Sequence, residues 1–411
     1  MSSALAPTSL AFVFLHAAPI VAAVMGGKSL AEGALEAVPA LARPAVQDLV
    51  YGVLRRHVES EALLAPLLRN PPYPEIHALL FCALLRLDTW TDAHTVVDQA
   101  VCAAGELEGG RYKGLVNGVL RNYLRHRAEL AANLSNAARL KHPDWWVAQL
   151  QAAYPDDWQG IVSAGNAPPP MSLRVNRRKT DVSGYLNRLA AENIHATAKE
   201  DYGILLDHPL PVSRLPGFAE GYVSVQDLGA QRAAALLSLA TGSKVLDACA
   251  APGGKAAHLL ERCDIDLTAQ DIDPARCRQI EQNLRRLGLF ARVLTGDALT
   301  VQGKYDAILA DVPCSASGIA RRRPDIKWLR RAEDIARFAK TQERMLTNLW
   351  RALAAGGKLL YATCSVFPQE NGEQIRKFLA RQRDARLGIE EQWLPNAEHD
   401  GFYYALIEKT A

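Results

Sequence analysis

Two cysteines stand just after strand-like runs, at positions where a thiol could act on a bound substrate. Cys314 lies in Ile308-Leu-Ala-Asp-Val-Pro-Cys-Ser-Ala-Ser-Gly318, and Cys364 lies fifty residues later (364 − 314) in Leu359-Leu-Tyr-Ala-Thr-Cys-Ser365. In an open α/β sheet the ligand crevice lies outside the carboxyl ends of the strands, so both thiols are expected to reach one cleft. Either cysteine alone could be a small buried hydrophobic residue, whereas the pair favours a reactive role.

A glycine turn in the same half of the chain predicts a ligand site. The stretch Val245-Leu-Asp-Ala-Cys-Ala-Ala-Pro-Gly-Gly-Lys255 predicts a strand, a tight turn and the start of a helix. Gly253 and Gly254 let the backbone approach a ligand, and the helix start offers free N–H groups to an anion. The pattern is neither GxGxxG nor GxxxxGK[ST]. A carboxylate fits it, such as that of the methionine part of S-adenosylmethionine, and a purely structural turn is the alternative.

Three aspartates, Asp247, Asp271 and Asp297, are predicted at the ends of the first three strands of the alternating region. Asp271 could accept hydrogen bonds from two ribose hydroxyls. Asp297 or a neighbouring amide could meet an adenine edge, and Asp311 precedes the first thiol. For a single aspartate at such a place, helix capping is the alternative, and three in register make capping alone a weaker explanation.

Basic residues cluster in two segments, which predicts contact with an RNA backbone. Residues 111–127 hold five Lys or Arg and no acid, and residues 316–344 hold nine Lys or Arg against four acids, with Trp328 among them. Solvated helix faces are the alternative. The residues predicted to contact RNA are Lys113, Arg121, Arg321, Arg322 and Arg323.

The elements that must position these residues fall into three predicted parts. Residues 1–141 have helical periodicity, residues 142–225 suggest a small α+β module, and residues 226–411 alternate between strands and helices. That alternation predicts a doubly wound, mostly parallel α/β sheet. Strands are predicted at 244–247, 267–271, 291–295, 306–311 and 357–363, and helices at 274–287 and 332–355.

Composition limits the class of protein. The chain has 411 residues, 49% of them hydrophobic and 22% charged, with a net charge of +3, which is ordinary for a globular protein. Its seven cysteines are odd in number and lack CxxC spacing, so we expect no disulfide framework, no metal site and a cytoplasmic location. The apolar run 11–25 follows no basic segment and is short for a membrane span, so we expect a buried helix rather than a targeting segment.

The motifs resemble those of the RNA 5-methylcytosine methyltransferases of the Nol1/Nop2/Sun family. The family's glycine turn is similar to Cys249-Ala-Ala-Pro-Gly-Gly-Lys255, and its two cysteine motifs are similar to Asp311-Val-Pro-Cys-Ser315 and Tyr361-Ala-Thr-Cys-Ser365. Val312 and Ala362 depart from the family pattern without touching a reactive group. The helical part resembles the antitermination factor NusB, especially in Lys113-Gly-Leu-Val-Asn-Gly-Val-Leu-Arg121.

The resemblance implies a Rossmann-like methyltransferase domain that methylates C5 of a cytosine in 16S rRNA of the small-subunit precursor. It implies that Cys364 attacks C6, that Cys314 helps to release the product, and that Asp311 holds or protonates the ring near N3. The implied cofactor is S-adenosyl-L-methionine, and the residues implied to bind it are Cys249, Ala250, Ala251, Pro252, Gly253, Gly254, Lys255, Asp271, Asp297 and Asp311. We expect a monomer that binds neither metal nor membrane.

Three other functions compete with this interpretation. An RNA-binding assembly or antitermination protein with a vestigial methyltransferase fold is one, and the intact Asp311, Cys314 and Cys364 argue against it. A small-molecule methyltransferase would have no use for the helical part or for the run of three arginines. DNA cytosine methyltransferases attack with the cysteine of a Pro-Cys loop, so a second cysteine in the other motif makes that class a weaker match.

Overall fold

A computed structural model describes residues 5–30 and 33–410 and divides the chain into two compact units. The first unit is Met1–Ala167 with Ala320–Arg331, and the second is Pro168–Ile319 with Ala332–Ala411. These limits differ from the predicted domain limits, because residues 142–167 and 320–331 belong by their contacts to the helical unit. Residues 1–4, 31–32 and 411, which the predicted domains include, lie outside the described residues.

The first unit is helical, as its periodicity predicts. Its apolar stretch 11–25 forms a helix that begins where the Ser9 hydroxyl accepts a hydrogen bond from the Phe12 amide, and most of its side chains are buried. The expectation of a buried first helix is therefore confirmed. The helices before the module are α1 (Leu10–Met25), α2 (Arg43–Arg55), α3 (His57–Leu64), α4 (Pro74–Thr89), α5 (Ala93–Glu106), α6 (Lys113–Ala132), α7 (Asn136–Leu140), α8 (Asp144–Ala153) and α9 (Trp158–Asn166).

The core of the first unit forms where the apolar faces of these helices meet. Helix α4 begins with Pro74 at its first turn, where the missing N–H has no intrahelical partner to lose. Ten of the twelve residues from Ile76 to Leu87 are buried, the exceptions being His77 and Arg86. A helix that is apolar on so many sides must be surrounded, and α4 contacts α1, α2, α5 and α6.

A small antiparallel sheet opens the second unit. Its strands are β1 (Ser172–Val175), β2 (Ala196–Lys199), β3 (Gly203–Leu206) and β4 (Val223–Val225), in the order β2-β3-β1-β4, with α10 (Val182–Ala191) between β1 and β2. The predicted α+β module is therefore confirmed. Arg174 of β1 is fully buried and pairs through two 2.7 Å contacts with Glu261. Its Nη1 also donates to the backbone oxygen of Gly254, at the glycine turn.

The large sheet of the second unit has the order β10-β11-β9-β8-β5-β6-β7. Its strands are β5 (Lys244–Asp247), β6 (Asp266–Asp271), β7 (Arg292–Thr295), β8 (Tyr305–Asp311), β9 (Leu353–Thr363), β10 (Ala385–Trp393) and β11 (Phe402–Lys409). Its helices are α11 (Leu228–Leu237), α12 (Gly254–Arg262), α13 (Pro274–Leu287), α15 (Ala332–Ala352) and α16 (Gly372–Arg381). The five strands from β5 to β9 pair in parallel, and β11 pairs antiparallel with β9 and β10.

The prediction for this sheet is confirmed in its parallel part. Each predicted strand falls within an observed one or differs from it by one residue at an end, although β9 begins at Leu353 rather than at residue 357. Alternate residues enter opposite cores, since Leu309 and Leu360 pack on one face while Ile308 and Leu359 pack on the other. The antiparallel pair β10–β11 is an addition that the sequence analysis did not predict.

Residues 320–331 add one short helix, α14 (Ile326–Leu329), to the first unit. The Asp325 carboxylate accepts from the Ser29 hydroxyl at 3.0 Å and from the Leu30 amide at 3.2 Å. Trp328 donates its indole N–H to the Leu54 backbone oxygen at 2.8 Å and packs against the helical core. This segment is therefore an integral part of the helical unit's packing.

Candidate active site

The two cysteines meet because the strands that precede them are neighbours. Strands β8 and β9 run in parallel, with Asp311 opposite Ala362. Cys314 lies three residues beyond that register position on one strand, and Cys364 lies two residues beyond it on the other. The Sγ atoms are 3.3 Å apart. The expectation that both thiols reach one place is therefore met by the geometry.

The two thiols differ in their surroundings. Cys314 is buried, whereas Cys364 is partly exposed. The hydrogen bond with Cys364 and burial raise the pKa of the Cys314 thiol well above its usual value, and the negative charge of Glu370 adds to this shift. Cys314 therefore remains a thiol at neutral pH, so it can donate a hydrogen bond to the sulfur of Cys364.

A partly exposed ion pair, Lys255 with Asp311, interacts with the thiol of Cys364. The Lys255 ammonium donates to the Asp311 carboxylate at 2.5 Å. Burial opposes the charge on Lys255, but Asp311, and to a smaller extent Cys364 and Asp247, raise the pKa of the lysine overall. Lys255 is therefore a cation at neutral pH, and it interacts electrostatically with Cys364 as well as with Asp311.

The glycine turn has the conformation that its residues allow. Gly253 has φ of 96°, in the left-handed region, and a Cβ there would lie 3.2 Å from the Ile280 backbone. Gly253 is also the N-cap of α12, so the first amides of that helix face the turn. Cys249, Ala250, Ala251 and Pro252 complete the turn, which can receive an anionic group as predicted.

Asp271 and Asp297 are placed differently with respect to this turn. The Asp271 carboxylate is buried and accepts from the amides of Ala251 and Asp273, both at 3.2 Å, so it joins the end of β6 to the glycine turn. Asp297 is half-buried, and its Oδ1 accepts from the Leu299 amide at 2.9 Å. That contact closes a turn in the loop between β7 and β8, where residues 296–304 form no helix, so it is not the helix cap considered as the alternative.

Asp247 was predicted at a strand end but was given no role among the predicted site residues. It ends β5, it is 1% exposed, and neither carboxylate oxygen has a partner with hydrogen-bond geometry among the described residues. Burial raises the pKa of Asp247 to about 8, and the neighbouring charge of Asp311 adds to the shift. A buried carboxylate without a partner favours a cationic ligand. Its place at the end of a strand, like Asp271, was the signal that could have identified it.

Glu370 is a second residue that the sequence analysis missed. It lies six residues after Cys364 in a short turn, and its side chain is fully buried. It accepts hydrogen bonds from the hydroxyls of Ser315 and Ser365, each of which directly follows a cysteine. Nothing local to a glutamate in a polar loop indicates burial, so only the packing identifies this residue.

The residues predicted to contact RNA all lie in the first unit. Lys113 and Arg121 are exposed and stand eight residues apart on α6, which places them on one face of the helix. Arg321 is only 2% exposed, so its prediction as a phosphate contact is wrong for this conformation. Arg322 and Arg323 are half-buried, and Arg323 pairs with Asp325.

In the second basic segment, residues 316–344, two more side chains, Lys327 and Trp328, serve the packing of the helical unit. Lys327 is fully buried, and its ammonium donates to the backbone oxygens of Arg55 and Lys141 and to the side chain of Asn166. The half-buried Trp328 packs against the helical core. The expectation of an aromatic among phosphate-binding cations is therefore corrected for this pair, since both side chains serve the packing of the helical unit.

Other features of the chain bear on its class. Within residues 5–30 and 33–410, no helix has the length and apolarity needed to cross a bilayer. In the same ranges, no group of three or more His, Cys, Asp or Glu side chains is arranged to hold a metal ion. All seven cysteines are free thiols.

Three family models match successive parts of the chain. The model described as 16S rRNA methyltransferase RsmB/F matches residues 234–408. The ferredoxin-like domain of the RsmF/B-like methyltransferases matches residues 142–213, and the NusB family matches residues 26–125. The three matches follow the order of the helical part, the small sheet and the large sheet.

Similar proteins cover most of the chain. A ribosomal RNA small subunit methyltransferase B from Vibrio cholerae is 43% identical over 385 residues, which is 89% of this chain and 89% of the relative. The protein of the same description from Salmonella arizonae is 42% identical, covering 89% of this chain and 90% of the relative. A methyltransferase homologue from Pyrococcus horikoshii has a crystal structure that covers 67% of this chain and all of its own, with a TM-score of 0.59 and 27% identity.

Proposed function

Because the chain belongs to the family of ribosomal RNA small subunit methyltransferase B, we propose that it methylates C5 of a cytosine in 16S rRNA through a covalent cysteine adduct. The observation that carries the proposal is the pair of Sγ atoms 3.3 Å apart at the ends of β8 and β9. A single thiol could be structural. Two thiols in contact, close to the Lys255–Asp311 ion pair, suit an addition to the substrate that must later be reversed.

The residues around the glycine turn fit S-adenosylmethionine as the cofactor. The first amides of α12 would hold its carboxylate, and the buried carboxylate of Asp247, which has no partner of its own, would receive its ammonium group. Asp271 would hold the ribose hydroxyls, with its orientation set by the Ala251 and Asp273 amides. When bound there, the cofactor supplies an electrophilic methyl group.

Cys364 is the nucleophile in this proposal. Cytosine C5 is a poor nucleophile, and addition of the Cys364 thiolate to C6 moves the C5–C6 π electrons so that C5 becomes electron-rich, like an enamine carbon. Asp311 is placed beside Lys255 and would hold or protonate the ring near N3, which stabilises the added electrons. The cationic Lys255 interacts electrostatically with Cys364 and would attract the sulfur anion that attacks and later departs.

Cys314 acts in the release of the product. After C5 has received the methyl group, loss of the C5 proton to a base restores the C5–C6 double bond and breaks the S–C6 bond. The departing Cys364 sulfur then carries negative charge again. A protonated Cys314 at 3.3 Å can donate a hydrogen bond to that sulfur and favour its departure. The target base must also leave its stack, which costs a few kcal/mol.

The rRNA partner and the compartment follow from the same proposal. Exposed Lys113 and Arg121 in the helical unit offer charges to the 16S rRNA backbone. The free state of all seven cysteines supports a reducing cytoplasm, where a small-subunit precursor would be the acceptor. We propose that the protein acts as a monomer.

Mapping of 5-methylcytosine by bisulfite sequencing tests the proposal. Total 16S rRNA is compared from cells with the gene, without it, and with the Cys364→Ala variant in its place. We expect one cytosine to resist conversion only in cells with the intact gene. A map that is the same in all three strains contradicts cytosine methylation. Purified protein that binds S-adenosylmethionine without turnover on rRNA would favour the assembly-factor function instead.

A further inference from the structure

One buried carboxylate connects the two loops that carry the thiols. Glu370 Oε2 accepts from the Ser315 hydroxyl at 2.5 Å and from the Ser365 hydroxyl at 2.6 Å. Its Oε1 accepts from the Ser315 amide at 2.8 Å and from the Gln342 side chain at 3.1 Å. Ser315 directly follows Cys314 and Ser365 directly follows Cys364. The hydrogen bonds of these serines to Glu370 therefore fix the backbone next to each of the two cysteines.

The surroundings of Glu370 hold this connection in place. Gln342 of α15 is fully buried, and its amide also donates to the Pro313 backbone oxygen at 3.0 Å. The Tyr361 hydroxyl donates to the Glu370 backbone oxygen at 2.7 Å. The Gly318 amide donates to the Cys364 oxygen at 2.8 Å. A buried network in which the partners fix one another allows few alternative positions for either sulfur.

The charge of Glu370 also distinguishes the two thiols. Burial raises the pKa of Glu370. All four groups that hydrogen-bond to its side chain are N–H or O–H donors, and an ionised carboxylate can accept from all of them. Its negative charge acts on Cys314 and disfavours a thiolate there. The positive charge of Lys255 acts on Cys364. The two sulfurs, 3.3 Å apart, therefore interact with charges of opposite sign, Cys314 with Glu370 and Cys364 with Lys255.

We propose that Glu370 is a positioning residue that holds the two thiol loops in register through Ser315 and Ser365 and keeps its carboxylate close to the loop of Cys314. Glu370 does not touch the substrate in this arrangement, and it acts through Ser315 and Ser365. The proposal deepens the proposed methyl transfer and rests on it for the meaning of the two roles. The effect of the Glu370 charge and of its hydrogen bonds on the two thiols can be tested without measuring methyl transfer.

The first test measures turnover in Glu370→Gln. The substitution keeps the shape of the side chain and removes the charge, and we expect kcat to fall by roughly ten- to a hundredfold, since small misplacements of reacting groups have effects of that size. The KM values for S-adenosylmethionine and rRNA should change by less than about twofold, because Glu370 contacts neither site. Glu373→Gln is the matched control, since it removes the same charge three residues away beside Lys377.

The second test reads the two thiols directly. The pH dependence of iodoacetamide alkylation is measured for the Cys314 and Cys364 peptides by mass spectrometry, in the wild type, Glu370→Gln and Glu373→Gln. We expect the midpoint of the alkylation–pH curve of the Cys314 peptide to move to lower pH only in Glu370→Gln, because a neutral amide no longer disfavours the Cys314 thiolate. A Cys314 midpoint that stays unchanged overturns the proposal, whether or not the enzyme methylates cytosine.

A third variant guards against loss of folding in Glu370→Gln. Ser365→Ala removes one tie and leaves the carboxylate with its other three donors, so the fold should persist. We expect kcat of Ser365→Ala to decrease while its melting temperature stays normal. The yield of its covalent adduct with 5-fluorocytosine RNA should be larger at high pH than at low pH, and the wild type should show the same pH dependence. If Ser365→Ala and Glu370→Gln both keep wild-type kcat and alkylation profiles, Glu370 has no positioning role.

Discussion

The sulfur atoms of Cys314 and Cys364 lie 3.3 Å apart although fifty residues separate them in the chain. The contact exists because β8 and β9 are parallel neighbours whose carboxyl ends stand side by side. In the proposed mechanism one sulfur must attack and the other must remain protonated. Lys255 and Glu370 supply charges of opposite sign for that division.

Substitution of each thiol should separate attack from release. Cys364→Ala should abolish methyl transfer and form no covalent complex, because no nucleophile reaches C6. Cys314→Ala should attack and methylate but fail to release the product, so an adduct that resists denaturant should accumulate. Labelled rRNA on a denaturing gel reads out both, and wild type with 5-fluorocytosine at the target is the positive control. An adduct in Cys364→Ala but none in Cys314→Ala would reverse the two roles.

Loss of the Asp271 carboxylate should weaken the cofactor site. Asp271→Ala removes the acceptor proposed for the ribose hydroxyls and also frees the Ala251 amide of the glycine turn. We expect S-adenosylmethionine to bind more weakly by roughly 1–3 kcal/mol, the usual effect of losing hydrogen bonds to a charged group. Calorimetry measures the change, with Asp266→Ala at the exposed start of β6 as control. Equal affinities in both variants would exclude this role.

The raised pKa of Asp247 predicts a pH dependence of stability without cofactor. Its pKa is about 8 in the folded protein and about 4 when unfolded, so the folded state binds more protons between these values. The free energy of unfolding is therefore unaffected by Asp247 ionisation below about pH 4. It falls as the pH rises from there and has lost the whole contribution of this residue above about pH 8. Urea unfolding should show a free energy of unfolding that falls less steeply with pH in Asp247→Asn, while Asp266→Asn should follow the wild type.

The same carboxylate predicts proton release when S-adenosylmethionine binds. A cationic group beside Asp247 favours the ionised form, so binding near pH 7 should release a proton from this residue. Calorimetry in buffers of different ionisation enthalpy measures that proton. Asp247→Asn should release none from this position. Identical proton release in both proteins would mean that Asp247 does not face the ammonium group.

The exposed cations of α6 should contribute to RNA binding. Reversal of both charges in Lys113→Glu with Arg121→Glu should weaken rRNA binding and flatten its salt dependence, since fewer counterions are released. The cofactor affinity should stay unchanged. Lys304→Glu with Arg351→Glu is the control, because these exposed residues of the second unit change the net charge equally. A filter-binding salt slope that is the same for both double variants would mean that the α6 face is merely solvated.

The buried Lys327 should matter for stability rather than for RNA. Lys327→Met leaves the oxygens of Arg55, Lys141 and Asn166 without their donor, which should destabilise the helical unit by about 2–4 kcal/mol. Thermal unfolding followed by circular dichroism measures the loss. Lys340→Met on the exposed face of α15 should leave the melting temperature unchanged. A normal melting temperature for Lys327→Met would show that burial of this ammonium is of no consequence.

Much of the fold follows from local patterns. The predicted limits of α13 are those observed, because Asp273 and Pro274 at its start and Gly288 at its end are strong local signals. The apolar runs of β5 to β9 have the length and composition of strands buried on both faces. Strand β10 escaped prediction because it has no buried residue and lacks an apolar run. Strand β11 was missed although Phe402–Ile407 is an apolar, buried run.

By itself the sequence determined the class of sheet, the glycine turn and the two cysteine motifs, since strand ends and turn residues are specified by neighbours along the chain. Only the tertiary structure decided which side chains serve the site and which serve the packing. Glu370 and Asp247 are charged by type but buried, and Arg321 and Lys327 are basic but enclosed. Burial and pairing of such groups depend on elements tens to hundreds of residues away, and composition and spacing do not specify those contacts.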